Sequence, residues 1–502
     1  MAGSVDLLVV GGGVNGAGVA RDAAGRGLSV ILCEKGDLAE GTSSRSGKYI
    51  HGGLRYLEYY EFRLVREALI EREVVLEVAS HLTRPLRLVL VHSPEQRPRW
   101  LIRLGLFLYD HLGGRKRIPA TRPVDLRRAP EGRRLRDAYP HAFAYYDVWV
   151  DDARLVILNA VDAARRGAEV LTRTECVSAR RDAGGSWHAV LRDAETGVTR
   201  EVTARAIVNT AGPWVERVLG NVAGVNSAKR VRLVKGSHII TRRWWEGDHG
   251  YVLQAPDRRL IFVNPYFDDL ALIGTTDIPF EGRPEDVAID AGETDYLIDI
   301  LNRYFDTALT PGDVLHSFSG VRPLFDDDSA KGASAVTRDY ELELDGGEGR
   351  APILSAFGGK ITTYRKLSEH ALEKLAPFFP AMGSAWTGRA PLPGGDVPDA
   401  AFVAWRDAFA ARHPWLPRPV ADHYAGAYGT DADALMEGAT RIEDLGRHFG
   451  AALYEREARW LIAREWARTP EDILERRTKH GLFLSAAERE AFAAWLSMAA
   501  AA

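Results

Sequence analysis

The chain has 502 residues, a formal net charge of -4, 46% hydrophobic and 27% charged residues, and two cysteines. That length suggests about three domain-sized units, or one large interleaved domain with a smaller neighbour, and the charge excludes a globally basic nucleic-acid binder. Cys33 and Cys176 can build neither a disulfide framework nor a zinc cluster, which fits a reducing interior, with Cys33 as a small buried hydrophobe.

The N-terminus lacks a basic leader region and the first strand starts by Asp6, so no cleaved signal is expected. No run reaches the roughly eighteen apolar residues of a spanning helix, so any membrane would be met at its surface. An apolar run, Asp6-Leu7-Leu8-Val9-Val10, enters Gly11-Gly12-Gly13-Val14-Asn15-Gly16-Ala17-Gly18, and Glu34 follows Leu28-Ser29-Val30-Ile31-Leu32-Cys33. Strand, glycines, helix, strand and acid in that order predict a βαβ unit that grips a dinucleotide. Gly11 makes the tight turn, Gly13 admits a pyrophosphate to the backbone, and Gly16 lets the helix close on the strand, with the diphosphate at the positive helix N-terminus. Glu34, eighteen residues past Gly16, would accept the ribose hydroxyls. A carboxylate there argues against NADP and leaves FAD and NAD open.

Residues 41–48, Gly-Thr-Ser-Ser-Arg-Ser-Gly-Lys, are too small and polar for a core strand and predict a loop. From Tyr60 a helical period puts Phe62, Val65, Leu69, Leu76 and Ala79 on one face, as for a helix packed on the core. Between 97 and 136 twelve basic residues stand against three acidic ones. Within that block Trp100-Leu101-Ile102-Arg103-Leu104-Gly105-Leu106-Phe107-Leu108-Tyr109 suits an amphipathic segment on an anionic lipid surface. It suits equally a core helix ringed by solvated arginines. Asp152 reads as the N-cap of the helix that follows, in preference to acid–base work with Asp151.

Strand-like runs cover 169–179 and 204–211, the second ending in Thr210-Ala211-Gly212, a second close approach of backbone to cofactor. Further strands at 231–240, 260–266 and 270–276 predict a mostly β substrate layer. Ser355-Ala356-Phe357-Gly358-Gly359-Lys360 leads into a helix running to about Phe378. Residues 391–398, Pro-Leu-Pro-Gly-Gly-Asp-Val-Pro, read as the clearest linker, and the composition beyond them turns helical.

The assembled strings resemble the FAD-dependent glycerol-3-phosphate dehydrogenases, respiratory enzymes of the D-amino-acid-oxidase flavoprotein superfamily. They include the glycine turn with Glu34, Thr42-Ser43-Ser44, and His51-Gly52-Gly53-Leu54-Arg55-Tyr56-Leu57-Glu58. Then come Tyr109-Asp110-His111-Leu112, Val150-Asp151-Asp152-Ala153-Arg154-Leu155, Lys235-Gly236-Ser237-His238 and Ile273-Gly274-Thr275-Thr276-Asp277. Ser319-Gly320-Val321-Arg322-Pro323-Leu324, Thr337-Arg338-Asp339-Tyr340, Phe357-Gly358-Gly359-Lys360, and Arg468-Thr469 with Arg476-Arg477-Thr478-Lys479 complete a match that runs nearly end to end. One departure is local: Gly47 stands where many relatives have a second serine, so no side-chain bond is expected there, and Tyr49 replaces a common aliphatic residue.

The resemblance implies an α/β (α+β) fold with FAD in preference to NAD. A Rossmann-like, glutathione-reductase-like FAD part (about 1–50, 150–230 and 340–390) would interleave with a β-rich substrate part (about 51–149 and 231–339) inside an oxidoreductase domain, 1–390. A C-terminal helical domain, 397–502, would follow. It also implies oxidation of glycerol 3-phosphate to dihydroxyacetone phosphate by hydride transfer to the flavin. Electrons would pass to ubiquinone or menaquinone, at the cytoplasmic face of an inner membrane held peripherally through its anionic surface. Nucleic acid has no place in this reading, and a homodimer stays open.

The residues it places at the cofactor are Gly11, Gly13, Asn15, Gly16, Glu34, Thr42, Ser43, Ser44, Ser46, Lys48, His51, Gly53, Val177, Ala211, Gly212, Gly358, Gly359, Lys360 and Thr362; no metal is expected. Arg55, Tyr56, Arg322 and Lys360 would line the substrate end, with Arg338 second in rank, because arginine's planar fork stays charged and holds phosphate oxygens with two bonds. The proton of the alcohol would go to His51 or His238. A cationic cluster of Arg322 and Lys360 that lowers the alcohol's pKa is the route without a dedicated base. Two other readings remain: a glycerol-3-phosphate oxidase giving hydrogen peroxide, disfavoured by the lack of an unexplained long insertion, and a non-catalytic flavin-binding protein of the membrane surface, for which the cations would have no purpose.

Overall fold

The computed structural model of the chain describes residues 3–114, 117–267, 269–326, 339–347 and 349–501. Arg115, Lys116 and Arg338 lie outside the described residues. The first sheet is built on five parallel strands in the order Arg350–Gly358, Thr199–Asn209, β1 (Gly3–Val10), β2 (Val30–Cys33) and Glu169–Leu171. Helix α1 (Val14–Gly25) makes the crossover between β1 and β2.

These strands read as unbroken apolar runs because both faces are covered. Leu7, Val9, Val30 and Leu32 join the core formed with α1 and the helices Asp152–Arg165 and Tyr364–Leu375. The alternate residues Leu8, Val10, Ile31 and Cys33 pack instead on the hairpin Thr174–Arg181/Trp187–Asp193, through Ala179, Trp187 and Leu191. Each such aliphatic side chain taken from water contributes about 1.5–3 kcal/mol. The run expected at 169–179 is therefore two strands: Thr172 and Arg173 break it, with Arg173 at φ 51. Its first half enters the parallel core and its second half covers the opposite face.

The second sheet has ten strands, among them Arg230–Arg242, Leu260–Tyr266 and Leu270–Gly274, which supply the expected β layer. One face rests on the helix Ala291–Tyr304 through Leu297, Leu301 and Tyr304. The other is covered in part by the helices Phe62–Val78 and Arg99–Leu112, with Leu69, Leu106 and Tyr109 against Leu88 and Phe143. Long antiparallel pairing of Arg230–Arg242 with Val314–Asp326 sets Arg322 opposite Val234 and Phe318 opposite His238.

The residues after 397 form helices around a core of their own that includes Phe409, Tyr424, Leu461 and Phe492. A small hairpin, His448–Gly450 with Leu453–Tyr454, interrupts them. The 391–398 segment is packed, not free. Leu392 N donates to Val78 O at 2.8 Å and Thr430 N to Gly394 O at 3.1 Å, and a Cβ on Gly394 would lie 1.9 Å from Tyr428 O.

The helix expected to be capped by Asp152 is capped one residue earlier. The N-cap of the Asp152–Arg165 helix is Asp151, whose carboxylate accepts from Arg154 N at 3.0 Å. Asp152 is the first helical residue, fully buried, and its carboxylate turns to Lys48 Nζ at 2.7 Å. A buried lysine across the loop demands a counter-charge more strongly than the helix end does.

Candidate active site

A cavity of about 930 Å³ is lined from both sheets. On the side of the first sheet, the turn from β1 into α1 is built on close approach. Gly11 has φ +108, a Cβ on it would lie 2.7 Å from Thr210 O, and a Cβ on Gly16 would lie 1.8 Å from Gly11 O. Gly13 caps α1 without a side-chain bond, and no acid stands in the first turn to repel an anion. Ser43 Oγ accepts from Val14 N at 3.0 Å, while Asn15 Oδ1 is buried with no hydrogen-bond partner. The Glu34 carboxylate accepts from Gly12 N at 2.6 Å and Gly36 N at 2.9 Å. Burial raises its pKa against the pull of those two amides.

The Gly358-Gly359 turn, with φ +80 and +99, meets this cradle: a Cβ on Gly359 would stand 2.9 Å from Asn15 Nδ2. Ala211 and Gly212, after the strand Thr199–Asn209, line the same wall, as do Thr42, Ser43, Ser46 and Thr362. Thr42 Oγ1 donates to Val321 O at 2.6 Å, and Thr362 Oγ1 accepts from His51 N at 3.2 Å. Ser46 Oγ donates to Asp152 at 2.7 Å, and Lys48 Nζ donates to Ser44 O at 2.7 Å as well as to Asp152. Through Asp152 these bonds hold the loop to the Asp152–Arg165 helix. Val177 sits at the irregularity in register between Cys176 and Ser178, with Thr174, Glu175 and Cys176 on the cavity wall.

From the second sheet come the cations and histidines. Arg322 donates to Asp277 Oδ1 and to Thr275 Oγ1, both at 2.8 Å. Gly236 makes room for it, since a Cβ there would fall 2.1 Å from the guanidinium. Lys360 Nζ lies 3.9 Å from the centre of the Tyr56 ring. His238 stacks on Phe318 at 4.9 Å and 20°. Burial, then Arg322 and Lys48, push its pKa well below the usual value, so the imidazole is neutral. Tyr56, His51, His238, Arg322 and Lys360 line the cavity together; Gly53 and Arg55 belong to the turn beside Tyr56 and stand outside its lining.

The groups that fix these residues carry no signal of that role in the sequence. Asp277 and Thr275 aim Arg322. Tyr109 Oη accepts from Gly52 N at 2.7 Å and donates to Asp147 at 2.7 Å, while Arg72 pairs with Asp147 at 2.9 Å. That chain of bonds fixes the backbone next to His51. Tyr109 and Asp277 stand in the family strings, but each acts on a residue distant in sequence, so no spacing points to the partnership.

A glycine-lined diphosphate cradle, an acid at the ribose position and fixed cations on one cavity define a dinucleotide-dependent oxidoreductase, and the residues fit a flavin dinucleotide. Residues 6–365 match the family described as FAD dependent oxidoreductase, and residues 385–502 the one described as C-terminal domain of alpha-glycerophosphate oxidase. The D-erythritol 1-phosphate dehydrogenase of Brucella abortus is 60% identical over 98% of this chain and 98% of its own. The glycerol-3-phosphate dehydrogenase of Pseudomonas aeruginosa is 52% identical over 96% of this chain and 93% of its own. Among solved structures, the glycerol-3-phosphate dehydrogenase of Bacillus halodurans complexed with FAD has a TM-score of 0.80 at 26% identity, covering 99% of this chain and 90% of that one. The chain belongs to the family of FAD-dependent glycerol-3-phosphate dehydrogenases, and its cofactor is FAD.

Proposed function

We propose that the enzyme oxidises the C2 alcohol of sn-glycerol 3-phosphate to dihydroxyacetone phosphate. Bound FAD supplies the acceptor for the C2 hydride. The observation that carries this reading is the pair of cations on the cavity wall, Arg322 held by Asp277 and Thr275, and Lys360 over Tyr56. A phosphate dianion is met by a fork already aimed, so little orientation is lost on binding. Lys360 at the Gly358-Gly359 turn stabilises the alkoxide that forms as the hydroxyl proton leaves. His51 is the better candidate to accept that proton, because burial, Arg322 and Lys48 disfavour a protonated His238.

D-erythritol 1-phosphate, one carbon longer, is the second reading, favoured by the 60% identity to the Brucella abortus enzyme. Both substrates present a phosphate and a secondary alcohol, so Arg322 and Lys360 serve either. Steady-state kcat/KM for each, with an artificial two-electron acceptor, decides between them. A ratio of ten or more in favour of the three-carbon ester is expected from one site shaped to it, and the reverse ratio assigns the longer substrate.

A membrane quinone is the proposed acceptor of the electrons. Support comes from the Arg99–Leu112 helix, which leaves Trp100, Leu104 and Phe107 69%, 47% and 49% exposed. Arg99 and Arg103 are exposed on the same helix, a pattern that suits a peripheral seat on anionic lipid at the cytoplasmic face of the inner membrane. No helix among the described residues is long and apolar enough to cross a membrane. Reduction of a quinone analogue with negligible oxygen consumption is expected; steady peroxide release would make the enzyme an oxidase.

A further inference from the structure

Among the described residues, one grouping of His, Cys, Asp or Glu side chains is close enough to hold a metal ion, and it lies in the C-terminal domain, outside the cavity. His423 comes from the helix Arg418–Tyr428, Glu457 from the helix Glu455–Glu465, and His480 from the turn that follows Arg476-Arg477-Thr478-Lys479. One ligand atom from each lies within 4.8 Å of the other two. His423 Nε2 and Glu457 Oε1 are 2.6 Å apart, and the two imidazole rings are 4.3 Å apart between centroids. Glu457 is 0% and His480 6% exposed.

Hydrogen bonding within the cluster does not satisfy these groups. Tyr428 Oη donates to Glu457 Oε1 at 2.7 Å, yet Glu457 Oε2 and His480 Nε2 are buried without any partner. A buried carboxylate oxygen and a buried imidazole nitrogen left without partners are each destabilising, and two in one cluster call for a shared ligand. Three atoms no more than 4.8 Å apart have a common centre within about 2.8 Å of each (4.8/√3). Bonds of about 2.0–2.1 Å to zinc then need side-chain shifts of less than about 1 Å, with the ion replacing the hydrogen bond between His423 and Glu457.

We propose that His423, Glu457 and His480 bind a zinc-class divalent cation. Two imidazoles and a carboxylate with no thiolate suit Zn²⁺ above softer or harder ions, and three protein ligands leave a fourth position for water. The ion would tie two helices of the C-terminal domain to the turn that docks this domain on the first sheet. Lys479, next to His480, bonds Asp151, and Arg476 and Arg477 pair with Asp37 at 2.6 and 2.5 Å. Metal occupancy would therefore set the stability of the docked domain and leave the flavin chemistry to the cavity.

The test uses the FAD-loaded enzyme stripped with a chelator and then titrated with Zn²⁺. One equivalent should be retained on dialysis, the thermal midpoint should rise with Zn²⁺ concentration as mass action requires, and X-ray absorption at the zinc edge should show a nitrogen and oxygen shell at about 2.0–2.1 Å with imidazole scattering. His480→Gln, which keeps its flavin, should weaken zinc binding by about 100-fold or more, beyond what loss of a supporting group costs. Equal zinc content in wild type and a flavin-loaded His480→Gln would overturn the proposal. So would a wild-type absorption edge without imidazole scattering, a result that does not depend on whether the variant folds.

Discussion

At Gly16 the room for a side chain is nil, since a Cβ would sit 1.8 Å from the carbonyl of Gly11. Gly16→Ala must push α1 off β1 and spoil the cradle, so the purified variant should lose its yellow colour and at least nine-tenths of its FAD, read by absorbance after denaturation. Full retention of flavin would show that the diphosphate is held elsewhere. Arg322 poses the opposite problem, a charge aimed by Asp277 and Thr275. Removing it leaves Asp277 without that cation beside a phosphate, and Arg322→Ala should lower kcat/KM by about 10²–10³-fold, or about 3–4 kcal/mol. Arg322→Lys restores the charge without the fork and should recover only part of the loss. Unchanged kinetics in Arg322→Ala would remove this residue from the site. The glycines were legible in the sequence from their spacing between strand and helix, whereas Arg322 and Lys360 were legible only through the family strings that carry them, and Arg55 from the same strings stands outside the lining. Asp277, Tyr109 and Asp147 were not legible, because their work is done across strands that only folding brings together.

Among the elements, β1, α1 and β2 were readable from periodicity and glycine spacing alone, whereas the Arg99–Leu112 helix was ambiguous. Its apolar stripe fitted lipid or core, and it proves to have both faces. Leu106 and Tyr109 are buried, while Trp100, Leu104 and Phe107 are exposed. Flotation with anionic liposomes should therefore fall several-fold in the double variant Trp100→Ser, Phe107→Ser, and fall with added salt; flotation indifferent to both would return the exposed stripe to a purely structural role. The seam between the C-terminal domain and the first sheet was hidden for another reason, that charged residues rarely announce burial. Asp37, 0% exposed, faces Arg476 and Arg477. Asp37→Ala leaves two guanidinium groups without that carboxylate in the interior, and a loss of about 3–5 kcal/mol should appear as a lower denaturation midpoint. A midpoint within experimental error of wild type would mean that water reaches this seam.

For the molecule as a whole, pH acts through imidazoles buried neutral. Burial, then Arg154, lowers His81 to about 3, and burial, then Arg87, lowers His249 to about 4. The unfolded chain binds protons near 6.5 where the folded chain does not, so stability is full above about pH 6.5 and falls as pH drops toward those values. By pH 5 each of the two should cost about 2 kcal/mol, and urea midpoints measured from pH 8 to 5 should show the decline; a flat profile would mean these rings are solvated. The interleaving of two sheets around one cavity follows from strand order, which single runs cannot reveal and which the end-to-end resemblance supplied. Anaerobic mixing of the purified holoenzyme with excess glycerol 3-phosphate probes the central claim most directly, by flavin absorbance. Bleaching is expected, with one dihydroxyacetone phosphate formed per flavin, whereas a flavin that stays oxidised in excess glycerol 3-phosphate would rule this compound out as the substrate.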